Sequence, residues 1–429
     1  MRKLFISLFI LAALILPGGL KVHAQAVLHP YKKPDVNNPL SILPPLLHPP
    51  SDSALKLFES KEYLWGEVEA LLFELHKYNL SGIAKVTDGR SNFEEAERPF
   101  MAFFYTGLSI CNLSAHYPEL RKQGKEQVYW TLKALQTEAL SGFITPHFGP
   151  PFTSQPIKQS SVFVHGQVLY LAIAYHNTFR ATDFDTLIHK LATALATDFE
   201  KNVILPSYRD MWYLSDNIPA LAALQNYDHT FGKKLAQKPI SAFVNRVKSN
   251  YLDTRSGLIY SYVNNPGMGF KGSQPVGEAV MFNAIFLPDI DSNLAIDQWQ
   301  RARKFMLRTL SYLLATNKQA APYKALIKGI GSEFYTCLEY PEGQNVSETQ
   351  NNRDGSDSGP VFLGAGMAAS GLALAAASRM KEGDVYKGLE KFAFTLGKPT
   401  WVENRLYYIN MINPVGQAVI LFGKTLKLK

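Results

Sequence analysis

The feature that most constrains this chain is an alternation between two kinds of helix-length stretch. The first kind is amphipathic. In Ala54–Tyr78, Leu57, Leu64, Val68, Leu71, Leu72 and Leu75 recur at helical spacing with charges between them. The second kind is apolar nearly all round, as in Pro99–Tyr117, PFMAFFYTGLSICNLSAHY. A helix with one apolar face lies on a surface, whereas a helix with no polar face must be enclosed.

The amphipathic stretches are Ala54–Tyr78, Pro118–Leu140, Phe184–Asn202, Lys233–Tyr251, Asn293–Ala315 and Val385–Leu396. The apolar ones are Pro99–Tyr117, Val162–Phe179, Asn217–Tyr227, Pro275–Phe286, Pro360–Arg379 and Ile409–Gly423. The two kinds alternate with a structural period of about 60 residues and no recognisable sequence repeat. The expected fold is therefore all-α, an (α/α)6 toroid over residues 51–429. Enclosed helices form its barrel and amphipathic helices jacket it.

The preceding residues read differently. Arg2 and Lys3 precede an apolar core, Leu4 to Leu16, followed by Pro17-Gly18-Gly19 and a small-residue site at Val22-His23-Ala24. This is the pattern of a secretory signal peptide over residues 1–24, with a core too short to span a bilayer comfortably. Cleavage near Ala24 implies a periplasmic or secreted protein of about 405 residues. Residues 25–50 form a Pro-rich extended lead. Removing Arg2, Lys3 and Lys21 brings the formal charge from +8 to +5, with the basic residues scattered. Nucleic acid is therefore not an expected partner. Neither a membrane span after cleavage nor a cofactor is expected. The chain contains no CxxC, HExxH or phosphate-loop motif, so no metal site is expected. Cys111 and Cys337 are the only cysteines, and an oxidising compartment would permit their pairing.

The long connections all run from an amphipathic stretch to the next apolar one: Asn79–Arg98, Ser141–Ser161, Val203–Asp216, Leu252–Gln274, Thr316–Asp357 and Gly397–Tyr408. In a toroid they open on one end of the barrel, making a mouth ringed by helix N-termini. Long loops on a rigid scaffold commonly carry function. These hold aromatic residues beside amides and acids, the mixture that packs on a pyranose face and bonds its hydroxyls. The candidate ligand contacts are Trp212, Tyr213, Asn217, His165, Gln167, Tyr262, Lys271, Gln274, Glu333, Tyr335 and Trp401.

Glycosidic hydrolysis needs two carboxyl groups across the bond. Asp216 and Asp357 are the first candidates, with Glu278 next, because a charge one turn into an apolar helix is costly without a partner or a wet cavity. Asp216 and Asp357 both also read as helix N-caps before a proline.

The alternation, together with Asp253-Thr254-Arg255-Ser256-Gly257-Leu258 ahead of an apolar helix, resembles the six-hairpin glycosidase-like superfamily from Ala54 to Lys429. That resemblance implies a carbohydrate-active enzyme, hydrolase or lyase, acting on a glycan. A lyase of this fold would use Tyr with His or Asn, for which Tyr213, His165 and Asn217 are available. The chain also resembles, more weakly, the linalool dehydratase-isomerase-like proteins. That likeness would centre on Cys337 and imply a hydro-lyase or isomerase acting on a small hydrophobic alcohol. A third reading is a non-catalytic glycan-binding or scaffold toroid.

Overall fold

A computed structural model of the chain describes residues 50–81, 90–153, 157–263, 273–316, 333–343, 361–408 and 414–428. Among them, twelve helices carry the architecture. The outer ones are α1 (Lys61–Ser81), α3 (Arg121–Leu135), α5 (Asp185–Lys201), α7 (Gln237–Asn250), α9 (Ser292–Phe305) and α11 (Gly383–Gly397). The inner ones are α2 (Arg90–His116), α4 (Val162–Phe179), α6 (Leu214–Phe231), α8 (Gly277–Phe286), α10 (Met367–Arg379) and α12 (Pro414–Leu426).

The inner helices pack in sequence, α2 on α4, α4 on α6, α6 on α8, α8 on α10 and α10 on α12, and α12 returns to α2. Each outer helix lies against the inner helix that precedes it in the chain, and α1 lies against α12. This closed ring with its jacket is the (α/α)6 toroid that the alternation predicts.

The ring is tight where residues are small. A side-chain carbon on Gly166 of α4 would stand 2.6 Å from that of Ala220 on α6, and one on Gly423 of α12 would meet the Ala375 backbone of α10 at 2.9 Å. Aromatic rings line the lumen. Phe100 meets Phe163 at 5.2 Å, Phe104 meets Phe286 at 6.5 Å, and Tyr170 meets Phe286 at 5.1 Å.

Several boundaries differ from the sequence expectation. α2 begins at Arg90 and carries Pro99 in its interior instead of starting there. The inner stretch expected from Pro360 is, over its described part, a hairpin of β5 (Val361–Phe362) and β6 (Ala365–Gly366) before α10 starts at Met367. The outer stretch expected to reach Ala315 breaks after Phe305 into β3 (Leu307–Thr309) and a short helix, Leu310–Thr316. Cys111 and Cys337 are separate buried thiols, not a disulfide.

The connections into the inner helices are stitched to one another, which gathers them at one end. The Ser161 hydroxyl donates to the Ser207 carbonyl at 2.7 Å. β1 (Trp212–Tyr213) pairs antiparallel with β2 (Tyr262–Val263). Gly277 at the start of α8 donates its N–H to the Glu339 carbonyl at 2.8 Å. The Asp253–Leu258 turn is built as its sequence suggests. The Asp253 carboxylate accepts from the Ser256 N–H at 2.7 Å and its hydroxyl at 2.6 Å, and Gly257 supplies the left-handed φ of 68°. Among the described residues, no helix is long and apolar enough to cross a membrane.

Candidate functional site

Three carboxylates from three different inner helices converge electrostatically on one buried phenol. Tyr105 lies on α2, and the acids that act on it are Glu278 on α8, Asp216 on α6 and Glu97 on its own helix. α2 and α8 are opposite staves of the ring, so the Glu278 charge acts on Tyr105 across the lumen. Burial, and then these three charges, push the Tyr105 phenol well above its usual range. Tyr208, beside Glu97 and Asp216, is pushed up in the same way, first by burial. Both phenols therefore stay protonated, suited to donate hydrogen bonds and not to act as bases.

Asp216 is buried in the first turn of α6. It is not the N-cap that the sequence suggests. Tyr213 occupies that position, and Asp216 is the third helical residue. It stands where the helix dipole favours negative charge. Glu278, the second residue of α8, is half-buried in the equivalent place on the neighbouring stave. Glu339 is buried where α8 and α10 begin, and a side chain on Gly366 would strike its carboxylate.

An aromatic row leads outward from the acids. Tyr208 packs on Phe163 at 5.4 Å and on Tyr213 at 6.0 Å, and Tyr213 packs on Tyr262 at 5.7 Å. Exposure rises along the row, from 6% at Tyr208 to 38% at Tyr262. The β1–β2 pairing puts Tyr213 and Tyr262 directly opposite each other, with half-buried Trp212 beside them. Gln274 is exposed just ahead of α8.

Other candidates have different tasks. The His165 ring is spent on backbone. Ser161 donates its N–H to Nδ1 at 3.0 Å, and Nε2 bonds the Pro151 carbonyl at 3.0 Å. The first partner must donate and the second must accept, so the ring is neutral with its proton on Nε2. Burial holds its pKa down at about 4. The Asn217 amide is also committed. Oδ1 accepts from Leu205 N–H at 2.9 Å, while Nδ2 donates to the carbonyls of Leu205 and Tyr213 at 3.0 and 2.8 Å. His165 and Asn217 thus hold the loops in place and form no proton-transfer set with Tyr213.

Three more candidates lie against outer helices. Glu333 pairs with Lys391 of α11, and Tyr335 packs over Gly388 of the same helix. Trp401 belongs to the hairpin of β7 (Pro399–Val402) and β8 (Arg405–Tyr408), where it meets Tyr63 of α1 edge-on at 5.3 Å. Lys271 and Asp357 lie outside the described residues. The Cys337 thiol is buried and pushed well above its usual range, by burial first and then by Glu339, so nothing in its setting favours a thiolate.

Gln167 is fully buried, and neither its amide oxygen nor its nitrogen has a hydrogen-bond partner. The Tyr105 hydroxyl is likewise buried and unpartnered. Sequence reasoning omitted Glu97 and Tyr105. Glu97 sits in the polar run RSNFEEAERP, which reads as a loop, and Tyr105 hides in an apolar stretch. The usable signal is their spacing of eight residues, close to two helical turns, which counts only once α2 is known to continue through Pro99. Among the described residues, no group of three His, Cys, Asp or Glu side chains is arranged to hold a metal ion.

No family model matches the chain. No curated protein matches it either. A solved structure described as a glycoside hydrolase from family 105 of C. acetobutylicum ATCC 824 is similar to it, with 12% identity and a TM-score of 0.46. The alignment covers 82% of this chain and 98% of that one.

Proposed function

We propose that this chain is a carbohydrate-active enzyme that cleaves a glycosidic bond at the barrel mouth, with Asp216 and Glu278 as the working carboxyl pair. The observation that carries the reading is their placement on the first turns of two adjacent inner helices, both acting on the buried Tyr105 phenol. Two acids on neighbouring rigid elements can flank one bond, one protonating the leaving oxygen while the other serves as nucleophile or base. Glu97 is the third acid of the cluster and Asp357 the reserve. The row Tyr208, Tyr213 and Tyr262, with Trp212, offers flat faces on which sugar rings pack. The ligand is a glycan, and the leader read in residues 1–24 would deliver the enzyme to the periplasm or the medium. The alternative resting on Cys337 gains no support from its buried thiol.

The test is a glycan-library activity screen on purified protein, with Asp216→Asn, Glu278→Gln and Glu97→Gln run alongside. Loss of either working carboxyl group is expected to lower turnover by about 10²–10⁴-fold. If Asp216→Asn and Glu278→Gln both retain full activity on the substrate found, the assignment is wrong. N-terminal sequencing of protein recovered outside the cytoplasm checks the leader, with Gln25 the expected first residue.

A further inference from the structure

Two polar side chains lie deep in the barrel with nothing to bond. The Tyr105 hydroxyl and both amide atoms of Gln167 are buried and unpartnered. Leaving a buried polar group unsatisfied is costly, so each such group in a folded chain needs an explanation.

Their positions supply one. Tyr105 of α2 packs on Phe422 of α12 at 5.3 Å, next to Phe104, whose ring meets Phe286 of α8 at 6.5 Å; Asp216 and Glu278 act on its phenol through space. Gln167 stands on α4 four residues after Phe163 and three before Tyr170. Residues at these spacings share a helix face. Phe163 touches Phe100 of α2, and Tyr170 touches Phe286 of α8, so this face of α4 looks into the lumen. Gln167 therefore faces the lumen, and Tyr105 lies in the same ring of helices within electrostatic reach of the carboxylates. Both are uncharged, and both can donate and accept hydrogen bonds. A sugar hydroxyl is an uncharged group with the same two capacities.

We propose that Tyr105 and Gln167 form the floor of the mouth and bind the hydroxyls of the innermost residue of a neutral sugar chain. Their missing hydrogen bonds are completed by that ligand. This rests on the reading of the mouth as a glycan site, and it adds the residues that select the ligand and its lack of charge. The arrangement exchanges stability for recognition: the empty protein carries unsatisfied groups that the complex satisfies.

The test uses the full chain with Tyr105→Phe and Gln167→Leu, each removing the polar atoms while largely keeping the shape. Melting temperatures are recorded without ligand, and affinities are measured by calorimetry against cellohexaose, maltohexaose, xylohexaose and mannohexaose. Each variant is expected to melt at or above the wild-type temperature and to bind the preferred hexasaccharide at least roughly tenfold more weakly. Unchanged affinity, as a permanently held water would give, overturns the proposal. So does weaker binding accompanied by a lower melting temperature, which marks a packing role. A wild type that binds none of the four also overturns it. Asp216→Asn, assayed in parallel, keeps the two ideas apart. Full turnover in that variant and in Glu278→Gln sinks the catalytic assignment, whereas the floor stands or falls on the binding data alone.

Discussion

His165 shows how a residue type that suggests catalysis can serve the fold. Its ring is clamped neutral between the Ser161 N–H and the Pro151 carbonyl, with a pKa near 4 against an ordinary value of 6.5. The unfolded chain takes up a proton below pH 6.5 that the folded chain refuses until about pH 4. Stability from this residue is complete above pH 6.5 and declines as pH falls through that window, by about 3 kcal/mol at its limit. Glu390 works in the opposite sense. Burial, and then Glu59, raise its pKa to about 7, so its contribution is present at low pH and lost as pH rises through 7. The two must be separated by difference. Urea unfolding of wild type and His165→Asn at pH 7.5 and 4.5 is expected to show a smaller loss on acidification in the variant. The sequence offers Asp216 as a catalytic carboxylate and His165 and Asn217 as ligand contacts, all on two helix starts. What commits His165 and Asn217 is the backbone opposite their side chains, including the Pro151 carbonyl and the Leu205 backbone, fourteen and twelve residues away in the chain.

At the scale of elements, legibility followed periodicity. Runs such as Val162–Phe179 have no polar face to leave outside, so their place in the barrel could be read directly, and α4 has those bounds. A proline is a poor guide to a helix start here. α2 continues back through Pro99 to Arg90, which is what brings Glu97 to the mouth. Trp401 lies in a four-residue strand that packs on α1, a placement that no pattern in the sequence announces. The contact between α4 and α6 makes its own prediction. With a new side-chain carbon 2.6 Å from Ala220, Gly166→Ala is expected to destabilise the protein by about 1–3 kcal/mol. Ala220→Gly added to that variant should recover part of the loss in a urea titration, because it reopens the same gap.

For the whole molecule, the decisive contact is the one that closes the ring. Glu67 of α1 and Lys424 of α12 form a fully buried ion pair, with the Tyr408 hydroxyl 3.2 Å from the ammonium and 3.4 Å from the carboxylate. Burial raises the Glu67 pKa, with Lys424 pulling it back. Lys424→Met leaves an acid stranded in the seam and is expected to cost about 3–5 kcal/mol. Glu67→Leu combined with Lys424→Met should restore much of that, measured again by denaturant unfolding, since an apolar pair of similar volume needs no compensation. If the single variant is as stable as wild type, the seam is not where the ring is held.

The same closure governs the order in which the protein can be completed. Asn112 on α2 bonds Thr425 on α12 across 313 positions of sequence. Until the last stave has left the ribosome, the first has an apolar flank with nothing against it. Folding cannot proceed hairpin by hairpin to a finished product. It must hold an open arc of helices in solution and seal it in one late step, the kind of long-range closure that slows folding and exposes a chain to aggregation on the way.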